Sequence, residues 1–317
     1  MNQEITIIIP TYNSVGYIKR TLGHLIKQKD QNFEVLIIDD NSKDETLITA
    51  KKFRKKMKLK AFAKPKNVIR GAAASINLAA RMLNTKYCAL IDSDAYLLPN
   101  WVGTAKLELK EKAVVGAPIF ALKENGLIAY LAGVEIENRY RKIKSGKVGH
   151  LSTCNLAMES QLLKKTNLNE QLNYAYDHEF SFKLKKNGVP LYLTKKTACF
   201  HVNKRGLKNY LIQQFRIAKY HTLLSKKMKK EAATGDEISP NYLILQPLSL
   251  FLAIVLSFFF WPAALIFLLL ILALNFSFLA CLASRKELLY IPLAGLLMIL
   301  KNFAWVFGGI AGLLEKS

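Results

Sequence analysis

Acidic residues are scarce in this chain of 317 residues: 23 Asp and Glu stand against 46 Lys and Arg, which gives a formal net charge of +23. The C-terminal part has almost no charge of either sign, because residues 241–317 carry a net charge of only +2 and leave about +21 to residues 1–240. A basic excess favours a nucleic acid, a membrane surface or an anionic substrate as partner. The sequence contains no DNA- or RNA-binding motif, so we expect no nucleic acid partner, and the apolar C-terminal part favours a membrane.

Cysteine is also scarce, with four residues and no paired spacing. This argues against a zinc site and against disulfides. We expect the cysteines to be reduced and structural; they are Cys88, Cys154, Cys199 and Cys281. We expect no signal peptide, since Met1–Glu4 leads directly into the first strand-like run. We therefore expect the basic part of the chain to stay in the cytoplasm.

Short, continuous apolar runs alternate with segments of helical spacing in the first half of the chain. Such runs predict buried parallel strands, and the β-α-β-α order predicts a doubly wound α/β sheet. A further strand, a helix and a final pair of strands are predicted later, around an ambiguous and mobile insertion at 120–150. The predicted strands are 5–9, 33–38, 59–63, 87–91, 114–119, 191–194 and 197–202, and the predicted helices include 15–28, 70–83 and 177–187.

Two carboxylates, Asp92 and Asp94, follow the apolar run Tyr87–Ile91. In open α/β sheets the ligand crevice lies beyond the carboxyl ends of the strands, and oxygen ligands of this kind suit Mg²⁺ or Mn²⁺. Taken alone, the pattern fits equally well a turn in which Asp94 caps the following helix. The first two strands also end in polar residues, Thr11–Asn13 and Asp39–Asp40. Three polar strand ends at one edge favour a binding crevice.

The C-terminal part has the pattern of a membrane anchor. Residues 203–230 hold nine Lys and Arg and no acid, with apolar residues roughly on one helical face. This is typical of a helix on an anionic membrane, although an ordinary helix packed on the domain is the alternative. Three apolar runs follow, each close to the length that spans a bilayer: 243–260, 263–283 and 288–314. We expect two or three transmembrane helices, with Arg285 and Lys286 on the cytoplasmic side; a buried hairpin in a soluble protein is the alternative.

Five motifs, in their order and spacing, resemble those of the family 2 glycosyltransferases, whose nucleotide-sugar-binding fold is called GT-A. More narrowly, the chain resembles membrane-anchored members of the succinoglycan and exopolysaccharide type. The motifs are Ile8–Asn13, Ile37–Thr46, Asn67 with Arg70–Asn77, Asp92–Asp94, and Tyr176–Phe180 with Lys183–Gly188. The resemblance implies a GT-A catalytic domain with a mostly parallel sheet over residues 1–202, a basic interfacial segment over 203–240, and transmembrane helices in 241–317.

The resemblance also implies the site residues. The donor would be a sugar on a nucleoside diphosphate, with UDP favoured by its frequency in the family, and the cofactor would be Mn²⁺ or Mg²⁺. Asp94 and His201 are the implied metal ligands. Asp177 is the implied general base, which would take the proton of an acceptor hydroxyl; Tyr176 stands before it where the family usually has an acid. The implied donor-binding residues are Pro10, Tyr12, Asn13, Asp40, Arg70 and Asp92.

Each of these roles has a structural alternative that the sequence leaves open. Asp177 has the right residue type for a helix N-cap, His201 for a satisfied histidine at a strand end, and Arg70 for a surface residue at a helix start. Asp39 has a turn-forming alternative. The roles of Asn155, in a loop that lies under the donor sugar in relatives, and of Glu179 are open as well.

We therefore expect an inverting, metal-dependent hexosyltransferase that is a multi-pass protein of the cell membrane, with its catalytic domain in the cytoplasm. Its acceptor would be a hydroxyl of a lipid-linked or polysaccharide glycan of the cell envelope. One alternative is a polyprenyl-phosphate sugar synthase of the dolichol-phosphate-mannose synthase kind, whose ionised acceptor needs no base. A processive synthase is disfavoured because the chain has few spans and lacks a Gln-x-x-Arg-Trp motif. A non-catalytic membrane scaffold that retains the fold is the last alternative.

Overall fold

The computed structural model describes residues 4–228, 236–239 and 242–315. They form two compact units. The α/β unit contains the described residues up to Phe120 together with Lys144–His201, and the helical unit contains Ala121–Ile143 and the described residues from Val202 onward. The sequence-based division assigned all of 1–202 to one catalytic domain, whereas segment 121–143 belongs here to the helical unit.

The α/β unit is built on a mostly parallel sheet. The strands are β1 (Ile5–Thr11), β2 (Phe33–Asp39), β3 (Leu59–Ala63), β4 (Tyr87–Ile91), β5 (Ala95–Leu97), β6 (Val114–Gly116), β7 (Ile119–Ala121), β8 (Gly146–Val148), β9 (Asn155–Glu159), β10 (Leu191–Leu193) and β11 (Cys199–His201). Eight of these described strands form the main sheet, in the order β3-β2-β1-β4-β9-β6-β10-β8. The pairs among β3, β2, β1 and β4 are parallel, while β9 runs antiparallel to β4 and β6.

The register of the sheet explains why the polar strand ends lie along one edge. All seven residues of β1 are buried, which matches its continuous apolar sequence. Thr11 at its end pairs with Asp39 at the end of β2, and Ile8 pairs with Leu90 of β4. The chain therefore leaves β1, β2 and β4 at the same edge, as the sequence predicted.

The helices complete both units. They are α1 (Val15–Ile26), α2 (Thr46–Lys52), α3 (Ala72–Ala80), α4 (Trp101–Glu108), α5 (Leu127–Lys142), α6 (Ser160–Thr166), α7 (Tyr176–Lys186), α8 (Leu207–Met228), α9 (Tyr242–Ser257), α10 (Trp261–Leu274), α11 (Phe276–Ser284) and α12 (Ile291–Leu314). Most of the segment that the sequence left ambiguous, 120–150, is the helix α5.

Two predictions about the later strands are wrong. The two final strands, which were predicted to pair with each other, belong to different sheets. The strand β10 lies in the main sheet beside β6 and β8. The strand β11 pairs antiparallel with β5 in a separate three-stranded sheet. The predicted strand 114–119 divides into β6 and β7. A strand finds its partner through long-range packing, which local apolar patterning does not encode.

The helical unit packs α8 against α12. Gly308 and Gly312 of α12 lie against the carbonyl groups of Phe215 and Lys219 in α8, so close that a side chain on either glycine would collide with that backbone. Small residues at a helix interface allow two backbones to approach this closely. The basic helix α8 therefore has one face packed on α12 within the helical unit.

One described helical segment, Leu288–Leu314, is long and apolar enough to cross a membrane. The pair Leu265–Leu274 and Phe276–Ser284 passes the same test only jointly, with a bend of 54° between its halves. The first predicted span is the shorter helix α9, of 16 residues. By length and composition the described residues thus supply one span, or two if the bent pair counts as one.

Polar side chains within the helical unit are paired with one another. The buried Lys301 of α12 lies 3.3 Å from Glu135 of α5, which also pairs with Arg139. Gln246 accepts hydrogen bonds from the buried amides Asn275 and Asn302, at 3.0 and 3.2 Å. Such pairing is what apolar surroundings require of polar groups. The positive charge of Lys301, which interrupts the last apolar run, is therefore compensated by Glu135. Glu135 lies in the segment 121–143, which separates the two parts of the α/β unit in the sequence.

Candidate active site

A histidine and two aspartates meet beyond the end of β4. The Nε2 atom of His201 lies 3.3 Å from an Asp94 carboxylate oxygen and 3.6 Å from an Asp92 carboxylate oxygen. The strand β5 follows Asp94 directly, and α4 begins only at Trp101. Asp94 therefore does not cap that helix, and the capping alternative is wrong.

The electrostatics of this group depend on its negative charges. Enclosure by the protein would by itself lower the pKa of His201, but Asp94 and Asp92 outweigh this and hold it well above the usual histidine value. Desolvation raises the pKa of Asp92; the hydrogen bond from His201 opposes the rise, while the charges of Asp94 and Asp177 add to it. The carboxylates repel one another, so a cation among them would be stabilised.

The donor set suits a divalent metal ion. Carboxylate oxygens are ligands for Mg²⁺ and Mn²⁺, and an imidazole nitrogen is accepted by Mn²⁺ and later transition metals. One ligand atom each from Asp92, His201 and Cys154 lie within 4.8 Å of one another, a separation that small side-chain movements close around an ion. Since an Asp94 oxygen also lies 3.3 Å from the His201 Nε2 atom, Asp92, Asp94 and His201 fit the metal that the family resemblance implies.

Asp177 lies in the first turn of α7, near this group. The N-cap residue of α7 is Ala175, in a left-handed conformation with φ of 60°, so the interpretation of Asp177 as N-cap is wrong. One carboxylate oxygen of Asp177 accepts the backbone N–H of His178 at 3.0 Å. Asp177 is also close enough to raise the pKa of Asp92. The implied base and the implied metal ligands thus share one electrostatic environment.

Tyr12 and Arg70 form a second part of the site, beyond the end of β1. The Tyr12 ring is 42% exposed, and the guanidinium carbon of Arg70 lies 4.8 Å from the ring centroid. The helix α3 begins at Ala72, so Arg70 lies in the loop before it rather than in its first turn. An exposed aromatic ring with a guanidinium over it can stack a planar base.

Asp40 is buried and held from two sides. Its carboxylate forms an ion pair with Lys64 at 2.7 Å and accepts the N–H of Gly71 at 2.8 Å. Gly71 has φ of 121°, a conformation that side chains disfavour. Asp40 thereby fixes the loop that carries Arg70. Its predicted contact with the donor remains a prediction.

Several predicted residues have hydrogen bonds within the protein. The Asn13 side-chain oxygen accepts the N–H of Lys43 at 2.8 Å. Asp39 accepts the N–H and hydroxyl of Ser42, which agrees with its turn-forming alternative. Pro10 is buried within β1, opposite Ile38. These contacts show how the strand ends are held, and the donor-binding roles of Asn13 and Pro10 remain predictions.

The residues whose roles the sequence left open, Asn155 and Glu179, also have partners within the protein. Asn155 accepts the indole N–H of Trp101 at 2.5 Å and donates to the carbonyl of Ala117 at 2.9 Å. Glu179 is buried, accepts from Asn169 at 3.1 Å and lies 3.2 Å from Lys183. Both side chains support the scaffold around the site.

Sequence reasoning gave no role in the site to three residues that lie there. Lys64, fully buried beside Asp40, was missed because a lysine among many lysines gives no signal. Cys154 lies near Asp92 and His201, although its spacing to other ligands is irregular. Tyr176 is enclosed within electrostatic reach of Asp92 and Asp177: desolvation, together with these two charges, raises its pKa well above the usual tyrosine value.

Comparison with known proteins gives the family. The profile described as "Glycosyl transferase family 2" matches residues 6–166, about half of the chain. The chain belongs to this family. The match contains β1 from Thr6 onward, β2 to β4, the acidic residues Asp92 and Asp94, and β9. It ends before Asp177 and His201, so the roles of those two residues remain predictions, as does the finer resemblance to succinoglycan-type enzymes.

Individual relatives agree with the family. The poly(ribitol-phosphate) β-N-acetylglucosaminyltransferase TarS of Staphylococcus aureus is 35% identical over 96 residues, which cover 30% of this chain and 17% of TarS. An uncharacterized glycosyltransferase of Rickettsia prowazekii is 27% identical over 192 residues, covering 56% of this chain and 58% of the relative. The chain thus spans less than two thirds of the length of these curated relatives.

Solved structures confirm the predicted GT-A-like α/β fold with its mostly parallel sheet. A mannosyltransferase from Pyrobaculum calidifontis, in complex with GDP-mannose and Mn²⁺, superposes with a TM-score of 0.61 at 17% identity, covering 99% of this chain and 88% of that one. Residues 1–349 of S. aureus TarS, in complex with UDP-GlcNAc, give a TM-score of 0.54 at 19% identity, covering 97% and 91%. At these identities the likeness concerns the fold alone.

Proposed function

We propose that this family 2 chain transfers a sugar from a nucleoside-diphosphate sugar to an acceptor hydroxyl. The observation that carries the proposal is the meeting of Asp92, Asp94 and His201 at the carboxyl edge of the sheet, with Asp177 within electrostatic reach. Transfer of a sugar requires stabilisation of a leaving diphosphate and removal of a proton from the acceptor, and this group of residues offers both. The complexes of fold neighbours with UDP-GlcNAc and with GDP-mannose and Mn²⁺ support this choice of donor.

The donor would lie across the edge of the sheet. The exposed Tyr12 ring offers a stacking surface for the base, and Arg70 above it offers charge to the base or phosphates. Asp94 and His201, with Asp92 beside them, would hold Mn²⁺ or Mg²⁺. That ion would neutralise negative charge as it develops on the leaving diphosphate.

Asp177 would accept the acceptor hydroxyl proton at a carboxylate oxygen as the new bond to the sugar forms. Direct attack from the side opposite the diphosphate inverts the anomeric centre, so one base suffices and no covalent nucleophile is required. The hydrogen bond from the His178 N–H to Asp177 holds the carboxylate at the start of α7, where the helix dipole favours negative charge.

The acceptor would be a lipid-linked or polymeric glycan at the cytoplasmic face of the cell membrane. The apolar segment Leu288–Leu314 and the basic helix α8 support attachment to an anionic membrane. If the bent pair also spans, the chain is a multi-pass protein. TarS, whose name gives poly(ribitol phosphate) as the acceptor, supports a polymeric acceptor with hydroxyl groups. A UDP-sugar is the favoured donor.

The first experiment is nucleotide release from UDP-, GDP- and dTDP-sugars by the detergent-purified chain, with Mn²⁺ or Mg²⁺ and with EDTA. We expect metal-dependent release from one donor in the presence of a membrane lipid extract. Asp94→Ala should abolish this release, and the matched control Glu111→Ala, at an exposed carboxylate, should retain it. The absence of release from every donor, with the lipid extract present, would favour a non-catalytic scaffold.

The polyprenyl-phosphate synthase alternative is tested with Asp177→Asn. A hydroxyl acceptor loses its proton during transfer, so we expect this variant to lose activity by roughly 10²–10⁴-fold, the usual contribution of general base catalysis. A lipid phosphate is already ionised, and little loss in the variant would assign that acceptor instead. Binding of the nucleotide sugar should be unchanged, which separates loss of the base from loss of the fold.

A further inference from the structure

Cys154 lies beside the proposed metal site although its position in the sequence gives no such signal. It follows Ser152–Thr153 and immediately precedes β9, which pairs with β4 so that Asn155 lies opposite Ile91. The Asp92 N–H points to the Cys154 carbonyl at 3.4 Å. Cys154 is therefore fixed next to Asp92 by strand pairing, not by a flexible loop.

The third member of the group, His201, belongs to the three-stranded sheet. His201 ends β11, which pairs with β5 so that His201 lies opposite Ala95. Three strand ends thus bring together an oxygen, a sulfur and a nitrogen ligand, with all three atoms within 4.8 Å of one another. The side chains of Asp92 and His201 are 31% and 22% exposed, so an ion from solvent has access to the group.

We propose that Cys154 supplies a sulfur ligand here, so that Asp92, Cys154 and His201 bind thiophilic divalent cations, Zn²⁺ in particular. Sulfur, imidazole and carboxylate are the ligands that Zn²⁺ accepts in four-coordinate sites, and three protein ligands leave one position for water or a diphosphate oxygen. Mg²⁺ has no preference for sulfur, and Mn²⁺ stands at the weak end of the divalent affinity series. The same site therefore holds Zn²⁺ more tightly than the ions that support transfer.

The sulfur must lose its proton when the metal–sulfur bond forms. All four cysteines are free thiols, and Ser152 donates a hydrogen bond to the Cys154 sulfur at 3.3 Å. The thiol proton is released to solvent as the Zn–S bond forms, and a protonated His201 releases a second proton when its Nε2 becomes a ligand, so uptake of Zn²⁺ acidifies a weakly buffered solution. If the proposed function holds, Zn²⁺ should also displace Mn²⁺ and inhibit transfer; binding itself does not depend on that function.

The test uses Co²⁺, which occupies zinc sites and reports its ligands optically. We expect the full-length chain in detergent to bind one Co²⁺ with a thiolate-to-cobalt charge-transfer band in the near ultraviolet, and one equivalent of Zn²⁺ to remove the band. Cys154→Ser should lose the band and bind Zn²⁺ at least 10-fold more weakly. Cys199→Ser, at the buried thiol that hydrogen-bonds with Cys154, and Cys281→Ser, in the helical unit, should keep it.

Three outcomes would overturn the proposal: no Co²⁺ binding, Co²⁺ binding without the charge-transfer band, or a band that persists in Cys154→Ser. If Cys154→Ser does not fold, His201→Gln and Asp92→Asn provide the second test, because each leaves the thiol in place and should still weaken the band. Nucleotide release in Mn²⁺ without Zn²⁺ is measured on the same preparation. If the chain shows the band but lacks transferase activity, the Zn²⁺ site proposed here stands, and only the predicted inhibition of transfer by Zn²⁺ fails.

Discussion

The imidazole of His201 lies 3.3 Å from Asp94 because β11 pairs with β5, which starts at the residue after Asp94. The antiparallel register places His201 opposite Ala95 and Phe200 opposite Tyr96. Two residues distant in sequence thus become neighbours through a short sheet of three strands. A shift of one residue would move the imidazole to the other face of the sheet.

Replacement of His201 by Gln tests whether it is a metal ligand or only a satisfied histidine at a strand end. Loss of an outer-shell partner costs roughly 10–100-fold in metal affinity, and we expect the loss of a direct ligand to cost at least as much. The measurement is the amount of free Mn²⁺ by electron paramagnetic resonance during titration of the protein. His221→Gln, in α8, is the matched control. Equal Mn²⁺ affinity in wild type and His201→Gln would identify a structural histidine.

The first half of the fold was predictable mainly because β1, β2 and β4 are buried almost throughout, whereas β3 alternates with exposed residues. The runs ending at Ile9, Ile38 and Ile91 are largely apolar, and each is followed by polar or turn-forming residues. Apolar runs of this length carry their own signal. The convergence of Tyr12, Asp40 and Asp92 at one edge followed from parallel pairing alone.

The rest of the fold and of the site depends on contacts between residues that are distant in sequence, which local sequence patterns do not predict. The strands β10 and β11 join different sheets although they are close in sequence, because their partners are β6, β8 and β5. Asn155 lies in a loop that resembles a donor-binding loop of relatives, yet its side-chain amide forms hydrogen bonds with Trp101 and Ala117. Cys154 became a candidate ligand only once three strand ends were brought together.

The ion pair of Lys64 and Asp40 should stabilise the loop that carries Arg70. The Lys64 side chain has no exposed surface, and that of Asp40 is 10% exposed. Removal of one partner from a buried pair leaves an uncompensated charge and costs about 3–5 kcal/mol. We therefore expect Lys64→Met to lower the free energy of unfolding by this amount, measured by denaturant unfolding in detergent.

The control for this variant is another lysine in an ion pair. Lys58 lies 3.3 Å from Glu34, but its side chain is 54% exposed, so Lys58→Met should cost no more than about 1 kcal/mol. The double variant Lys64→Met, Asp40→Asn removes the unpaired charge and should recover part of the loss. Equal free energies of unfolding for Lys64→Met and Lys58→Met would show that the buried ion pair contributes no more to stability than the exposed one.

Two glycines of α12 form a matched pair for testing how it packs on α8. A Cβ atom on Gly312 would lie 2.7 Å from the Lys219 carbonyl oxygen and 2.8 Å from the Thr222 Cβ, whereas for one on Gly309 the nearest atom among the described residues is the Thr222 hydroxyl oxygen, at 3.8 Å. Overpacking of this kind costs about 1–3 kcal/mol. We expect Gly312→Ala to lower the thermal unfolding midpoint in detergent and Gly309→Ala to leave it unchanged or raise it slightly, since alanine is the better helix former. Equal midpoints would mean that the two helices separate without cost.

The turn between α9 and α10 presents four consecutive aromatic residues to the surroundings. Phe258, Phe259, Phe260 and Trp261 are 83%, 85%, 61% and 74% exposed. The two helices have 16 and 14 residues, or about 24 and 21 Å at 1.5 Å per residue, less than the roughly 30 Å hydrocarbon thickness of a bilayer. A hairpin of this length that enters from one side ends inside the hydrocarbon region, where exposed aromatic rings are stabilised.

Quenching of tryptophan fluorescence by brominated lipids measures the depth of this turn. The chain has three tryptophans, and Trp101 is buried in the α/β unit, so the difference between wild type and Trp261→Phe in proteoliposomes isolates Trp261. We expect this difference to be largest for lipids brominated deep in the acyl chain and small for bromine near the headgroup. Quenching that is the same with and without Trp261 would place the turn outside the bilayer. Strong quenching only by lipids brominated near the headgroup would instead indicate a hairpin that lies along the membrane surface, with Trp261 outside the interior of the bilayer.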